Sequence, residues 1–354
     1  MKNDKATKII KMTFLFFLAM SITAFADNKS EKVLDEQSFP VNPNAELAID
    51  HEFGNLECTN WEKNEIAVKI VARVDSDDPD KVARAAEQII YEIAGNRDRV
   101  SVRCRLNKKG KSTPNVSVDV IIMMPEEVRL DIKHKFGHGF IETARGISKV
   151  ESEYGVMKIQ ALHSPESKVK IEFGEGHITH MAGGDLSVEY SSLWLGSTGD
   201  MTIGMSYSDG EVDKADKLYI RQEGGELEVS SANSITGSSG FGSLKIGTLA
   251  DLLDMKSEYG NLTVRNVSSD FSSIKLKNSF GSSKLMIDEA ATYQLDAEAE
   301  SGSIDFPASL ANITYRDKNM SQTKIKGTVG RATSTSSTVT IQSEYGSVNL
   351  LAIN

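Results

Sequence analysis

Apolar residues in this chain recur at fixed distances from a repeated corner. Ser152-Glu153-Tyr154-Gly155 returns as Ser257-Glu258-Tyr259-Gly260 and as Ser343-Glu344-Tyr345-Gly346. Looser copies include Glu52-Phe53-Gly54, Lys135-Phe136-Gly137, Glu172-Phe173-Gly174 and Ser279-Phe280-Gly281, and serine replaces the glycine in Tyr190-Ser191 and Tyr207-Ser208. From Gly137 the corner recurs every 17–21 residues, until a last interval of 44 between Gly302 and Gly346. That interval holds two coils or one coil with an insertion. Four residues after the corner all twelve units are apolar, from Cys58, Ile141, Ile159 and Ile178 to Leu350; five residues before it eleven are. Three residues after it, most are polar. Period-two alternation on both sides of a glycine reads as strand, bend, strand, and glycine suits a bend where a Cβ would clash. Units this short cannot bury a face alone and must stack on their neighbours. The pattern therefore predicts an all-β chain: one continuous parallel β-solenoid from about residue 40 to the C-terminus, its rungs about 4.8 Å apart. The aromatic residue before each corner should form an internal ladder.

One segment departs from this period. Asp78-Pro79-Asp80 opens a stretch with Val82, Ala85, Ala86, Ile89, Ile90 and Ile93 on one helical face, closed by Gly95-Asn96. Proline at the start and glycine past the end are helix punctuation. The expectation is an amphipathic helix over about 79–95 that caps the open N-terminal rung, since an uncapped solenoid end exposes unpaired backbone. Residues 27–130 would then form N-terminal rungs and cap, and 131–354 the solenoid proper, continuous with them.

Gly54-Asn55-Leu56-Glu57, Asn60-Trp61-Glu62-Lys63-Asn64-Glu65-Ile66, the segment around Ala83 to Ile93, the Val116-to-Pro125 strand and the Phe/Tyr-Gly corners together resemble an exported bacterial β-helix family of unknown function, common in Bacteroidetes, whose members are named "putative adhesins". The resemblance covers nearly all of residues 35–354. It implies a right-handed parallel β-helix and a surface or envelope role. It implies no catalytic residues. The corner departs from the family's pattern at Ser191 and Ser208, which puts those two bends in question.

The first 26 residues read as a secretory signal peptide. Lys2, Lys5, Lys8 and Lys11 precede an apolar run from Met12 to Ala24, and Ala24-Phe25-Ala26 is a small-x-small cleavage site. The formal net charge of the 354 residues is −10. Cleavage would remove four Lys and one Asp, so −10 − 3 = −13 remains. Such an acidic chain has no electrostatic basis for binding nucleic acid. No run of 18 apolar residues is present, so no ordinary transmembrane helix is expected. The protein should be exported, to the periplasm or the cell surface.

Little in the sequence points to chemistry. The position two before the corner carries Glu52, Glu153, Glu172, Glu189, Glu223, Glu258, Glu300 and Glu344. A consensus stripe of this kind reads as a solvated acidic edge rather than a catalytic carboxylate pair. The six histidines have no zinc-ligand spacing, so no metal and no cofactor is expected. The two cysteines, Cys58 and Cys104, fall at apolar positions of expected strands; either they pair or they are two small buried hydrophobes. The position three after the corner carries Phe140, Lys158, His177 and Trp194 on four consecutive rungs. An outward row with two aromatic rings could stack against a sugar or an envelope protein. The best reading is a non-catalytic, adhesin-like binding or scaffold protein that takes a surface glycan or envelope protein. The alternatives are a polysaccharide-cleaving β-helix enzyme and an envelope-signalling accessory protein.

Overall fold

A computed structural model describes residues 29–107, 116–332 and 334–354; the expected signal peptide lies outside the described residues. Each coil contributes one strand to each of two parallel ladders, a leading one that runs into the corner and a trailing one that leaves it. Ile159 pairs with Ile141 on one side and Ile178 on the other, as the sequence spacing requires. In the leading ladder Val150 lies between Ile132 and Val169. The inward residues of both ladders form one core in which Ile141, Ile159, Ile178, Val150 and Val169 are buried. From Glu175 to Glu258 the coils are so regular that each continuous strand serves both ladders.

The corner differs from expectation in two ways. First, the left-handed residue is the aromatic, with φ of 49–65° at every ladder ring except Phe241, and the following glycine is required for another reason. A Cβ on Gly155 would lie 2.0 Å from the carbonyl oxygen of Gly137, and one on Gly174 2.1 Å from that of Gly155. The serine corners bend in the same way, with φ of 50° at Tyr190 and 49° at Tyr207. Second, the aromatic ladder is outside. Phe53 is partly exposed, and the remaining rings are exposed by 40% at Phe136 up to 72% at Phe241. The rings stack at 4.7–5.5 Å between centroids, from Phe53 to Tyr207 and from Phe241 to Tyr345. At every ring but Phe241 a left-handed backbone turns the side chain away from the core. A stacked pair contributes about 0.5–1.5 kcal/mol, similar in size to the roughly 1–2 kcal/mol cost of a left-handed L-residue.

The helix is half the expected length. It spans Pro79–Ala86, with the Asp78 side chain accepting the Asp80 N–H. Ile89–Gly95 is a strand, antiparallel to Arg99–Leu106. Ile89, Ile90, Tyr91 and Ile93 are β-branched or aromatic and pair well on a sheet edge, which outweighs the helical spacing of the same residues. Antiparallel strands close the N-terminal end of both ladders: Ile89–Gly95 on the leading one, and Glu65–Asp75 with Lys29–Pro40 on the trailing one.

The long last interval holds one coil and an insertion, and the coils there are out of chain order. Tyr293–Glu300 and Ser303–Asp305 form the outermost coil, edged by the antiparallel strands Gln322–Val329 and Ala311–Lys318. The chain then returns, and Thr338–Glu344 inserts between Ser273–Ser279 and Tyr293–Glu300. Ser347–Ile353 likewise lies between Ser282–Asp288 and Ser303–Asp305.

Candidate functional site

The row expected to face a ligand is in register. Lys158 pairs with Phe140 and with His177, and His177 with Trp194. All four side chains point out of the core: Lys158 and His177 are exposed, Phe140 and Trp194 partly so. The Trp194 ring lies down along its strand. Its Cη2 would be 3.1 Å from a Cβ on Gly196, so the glycine makes room for a flat ring on the sheet surface. His177 Nε2 is 3.6 Å from a Glu175 oxygen. A partly exposed indole beside an imidazole, with an ammonium one rung further on, can stack on one face of a ring and donate hydrogen bonds at its rim.

Sequence reasoning missed a second place. A cleft of about 660 Å3 opens at the N-terminal end, lined by Asn42, Asn44, Asn60, Trp61, Glu127 and Glu142 among others. Its size is that of a small-molecule site. Trp61 Nε1 donates to the Glu65 carbonyl, and Lys63 Nζ sits 4.6 Å from the Trp61 ring centre. The Asn60 N–H donates to Glu142, and Asn60 Nδ2 to the Thr143 carbonyl, while the buried Asn60 Oδ1 has no partner. Four separated segments build this cleft, so no local motif announces it.

The acidic stripe is partly neutralised. Lys135 holds Glu153, Lys170 bridges Glu172 and Glu189, and Lys256 holds Glu258. Serines interrupt it in the ladder, as at Ser206 and Ser279. It has the character of a charged edge. Among the described residues no three His, Cys, Asp or Glu side chains could hold a metal ion together.

The histidines instead show a buried pair. His51 and His134 face each other on adjacent rungs with Nδ1 atoms 3.0 Å apart, and His51 Nε2 lies 2.7 Å from the Val118 carbonyl. A carbonyl only accepts, so His51 carries its proton on Nε2. His134 Nδ1–H then donates to His51 Nδ1, leaving His134 Nε2 as a buried acceptor with no partner. Burial lowers the pKa of both rings, that of His134 to about 3.

No disulfide joins Cys58 and Cys104. Cys58 lies in the trailing ladder beside Ile122 and Ile141, and Cys104 in the leading ladder beside His51. Burial raises both thiol pKa values, that of Cys104 to about 12. Neither can be a reactive thiolate in the fold. The native protein should resist alkylation at pH 8 and take up two labels per chain only after denaturation, counted by intact mass. A native chain that labels rapidly would contradict this burial.

A profile of the Toastrack DUF4097 family matches residues 143–351. No curated protein matches. Among solved structures the chain is similar to a "putative cell adhesion protein" from Clostridium sporogenes, at 11% identity over 91% of this chain and 100% of that one, with a TM-score of 0.18. It is also similar to a "putative adhesin" from Parabacteroides distasonis, at 9% identity over 90% and 97%, with a TM-score of 0.31. A third, a "putative lipid binding protein" from the same species, has 11% identity over 92% and 98%, with a TM-score of 0.28. Similarities this distant say nothing about ligand or activity. The family match covers more than half of the residues and takes in every corner from Tyr154 to Tyr345: the chain belongs to the Toastrack DUF4097 family.

Proposed function

We propose that the protein is an exported, non-catalytic solenoid that holds a surface glycan on its trailing face, in the periplasm or at the cell surface. The observation that carries this reading is the outward row Phe140, Lys158, His177 and Trp194, in register on four rungs, with the indole lying flat over Gly196. Aromatic faces with polar neighbours are what sugar rings stack on. Coils of 17 or 18 residues from Glu175 to Glu258 leave no long loops to build a catalytic pocket. The winding is taken as right-handed, the hand favoured for parallel crossovers.

The test is a glycan-array and polysaccharide-degradation screen on the purified chain without residues 1–26. Binding without turnover is expected. Trp194→Ala should weaken that binding about tenfold, the loss of roughly 1.4 kcal/mol. Thermal stability should hardly change, since the ring is on the surface. Depolymerisation abolished by Glu172→Gln would overturn the non-catalytic reading. Silence on every glycan would instead favour an envelope-signalling role, and a large stability loss in Trp194→Ala would make the indole a packing residue.

A further inference from the structure

The aromatic ladder has one missing ring. Where the other corners carry Phe or Tyr, or Ser301 near the C-terminal end, the corner between Tyr207 and Phe241 carries Gly224, with φ of 79°. On one side the corner keeps the ladder bond, the Tyr207 N–H donating to the Glu223 carbonyl at 2.8 Å; on the other the Gly240 N–H donates to the Gln222 carbonyl, and Phe241 is the one ladder ring whose backbone is not left-handed. Tyr207 and Phe241 are thus two rungs apart, roughly 10 Å at the usual strand spacing, which leaves room for one further ring in the stack.

The walls of this gap differ from the rest of the ladder. Phe241 is 72% exposed and Tyr207 62%, the two highest values among the rings. Tyr207 leans toward the gap: its pair with Tyr190 is the widest and most tilted of the ladder, at 5.5 Å and 12°. A Cβ on Gly224 would meet Tyr207 Cδ1 at 3.0 Å. The face of Phe241 that a preceding ring would cover is open.

The charge beside the gap is also unusual. Asp209 accepts the N–H of Glu226, and Glu226 pairs with Lys245. Glu223, adjacent to Gly224, has no ion pair among the described residues. In the coils holding Glu172 and Glu258, the lysine two residues earlier in the strand supplies one. At Glu223 that place belongs to Arg221, whose guanidinium carbon sits 4.9 Å from the Tyr219 ring centre instead.

We propose that this gap is a binding site for a planar cation, the guanidinium of an arginine side chain on a partner polypeptide. Guanidinium is flat, stacks on aromatic faces and is weakly hydrated. Between Phe241 and Tyr207 it gains a cation–π contact on each face, and Glu223 supplies the counter-charge. A bound guanidinium pushes Tyr207 back to the ladder spacing. The site lies outside the proposed glycan row and uses none of its residues.

The test is an NMR titration of the aromatic resonances with acetyl-Gly-Arg-Gly-amide, alongside the same peptide with lysine or citrulline in place of arginine. Citrulline keeps the planar shape without the charge, and lysine keeps the charge without the plane. The arginine peptide should shift the Tyr207 and Phe241 ring signals saturably, and both controls should bind at least tenfold more weakly. Gly224→Phe completes the ladder at constant charge and should abolish the shift. Glu223→Gln and Phe241→Ala should each weaken it severalfold, and they decide the matter if Gly224→Phe does not fold. Citrulline binding as well as arginine, or a folded Gly224→Phe that binds like the parent, would overturn the proposal. Loss of arginine binding with glycan binding intact separates this site from the glycan row.

Discussion

Gly155→Val is expected to destabilise the protein by about 4 kcal/mol, Gly155→Ala by about 2 and Gly155→Ser by about 1. A Cβ at this position would lie 2.0 Å from the Gly137 carbonyl oxygen. That oxygen cannot swing aside cheaply, because it accepts the Val156 N–H at 3.1 Å and so holds two coils together. The order of the three variants follows from the two corners that already carry serine. Ser191 Oγ accepts the Gly174 N–H at 3.0 Å and donates to the Glu189 carbonyl at 2.7 Å. Ser208 does the same with the Ser191 N–H and the Ser206 carbonyl. A serine therefore recovers hydrogen bonds for the backbone adjustment it requires, alanine recovers none, and valine adds bulk. Urea denaturation of the three variants checks the order. Valine and serine giving equal midpoints would show that the corner yields without cost.

Acid should weaken the fold well before its carboxylates titrate. His134 has its pKa lowered to about 3 and His51 is lowered too, in both cases first by desolvation; the His51 charge adds to the effect on His134. The folded-state values lie below the unfolded one of about 6.5. As pH falls, the unfolded chain takes up protons that the folded pair refuses. The stability that depends on neutral rings is fully present above about pH 6.5 and is lost progressively from there toward 3. His134 alone then accounts for about 2 kcal/mol between pH 6.5 and pH 5, at roughly 1.4 kcal/mol per unit. Denaturation midpoints measured from pH 7.5 to 5 should fall over this window. The double variant His51→Leu, His134→Leu should show a flatter curve, and an equally steep one would place the acid sensitivity elsewhere.

The repeat was readable because its physics is local. Ile141, Ile159 and Ile178 fall at equal distances from their corners, so they must stack if the corners do, and the outward row of Trp194 follows from the same register. What escaped was set by parts of the chain far apart. The helical spacing from Val82 to Ile93 is real, yet its second half pairs with Arg99–Leu106, and that partner does not appear in any local window. The rings of the ladder are apolar and periodic, which suggests burial; only the left-handed backbone at Tyr154 and its equivalents turns them outward. His51 and His134 are 83 residues apart and meet because coils stack. The Trp61 cleft needs residues 42–44, 60–64, 125–128 and 142 together.

Synthesis runs from the N-terminus, but the last strands do not become the last layer. Thr338–Glu344 and Ser347–Ile353 occupy places inside the stack, with older strands on both sides. Until they arrive, the coil from Tyr293 to Asp305 has no final neighbour to rest on. A chain that stalls or is clipped before residue 338 therefore lacks an inner course of the wall and exposes two raw edges instead of one. The inserted pair thus acts as a keystone, and a chain without it presents open strand edges on both sides of the vacant place to proteases.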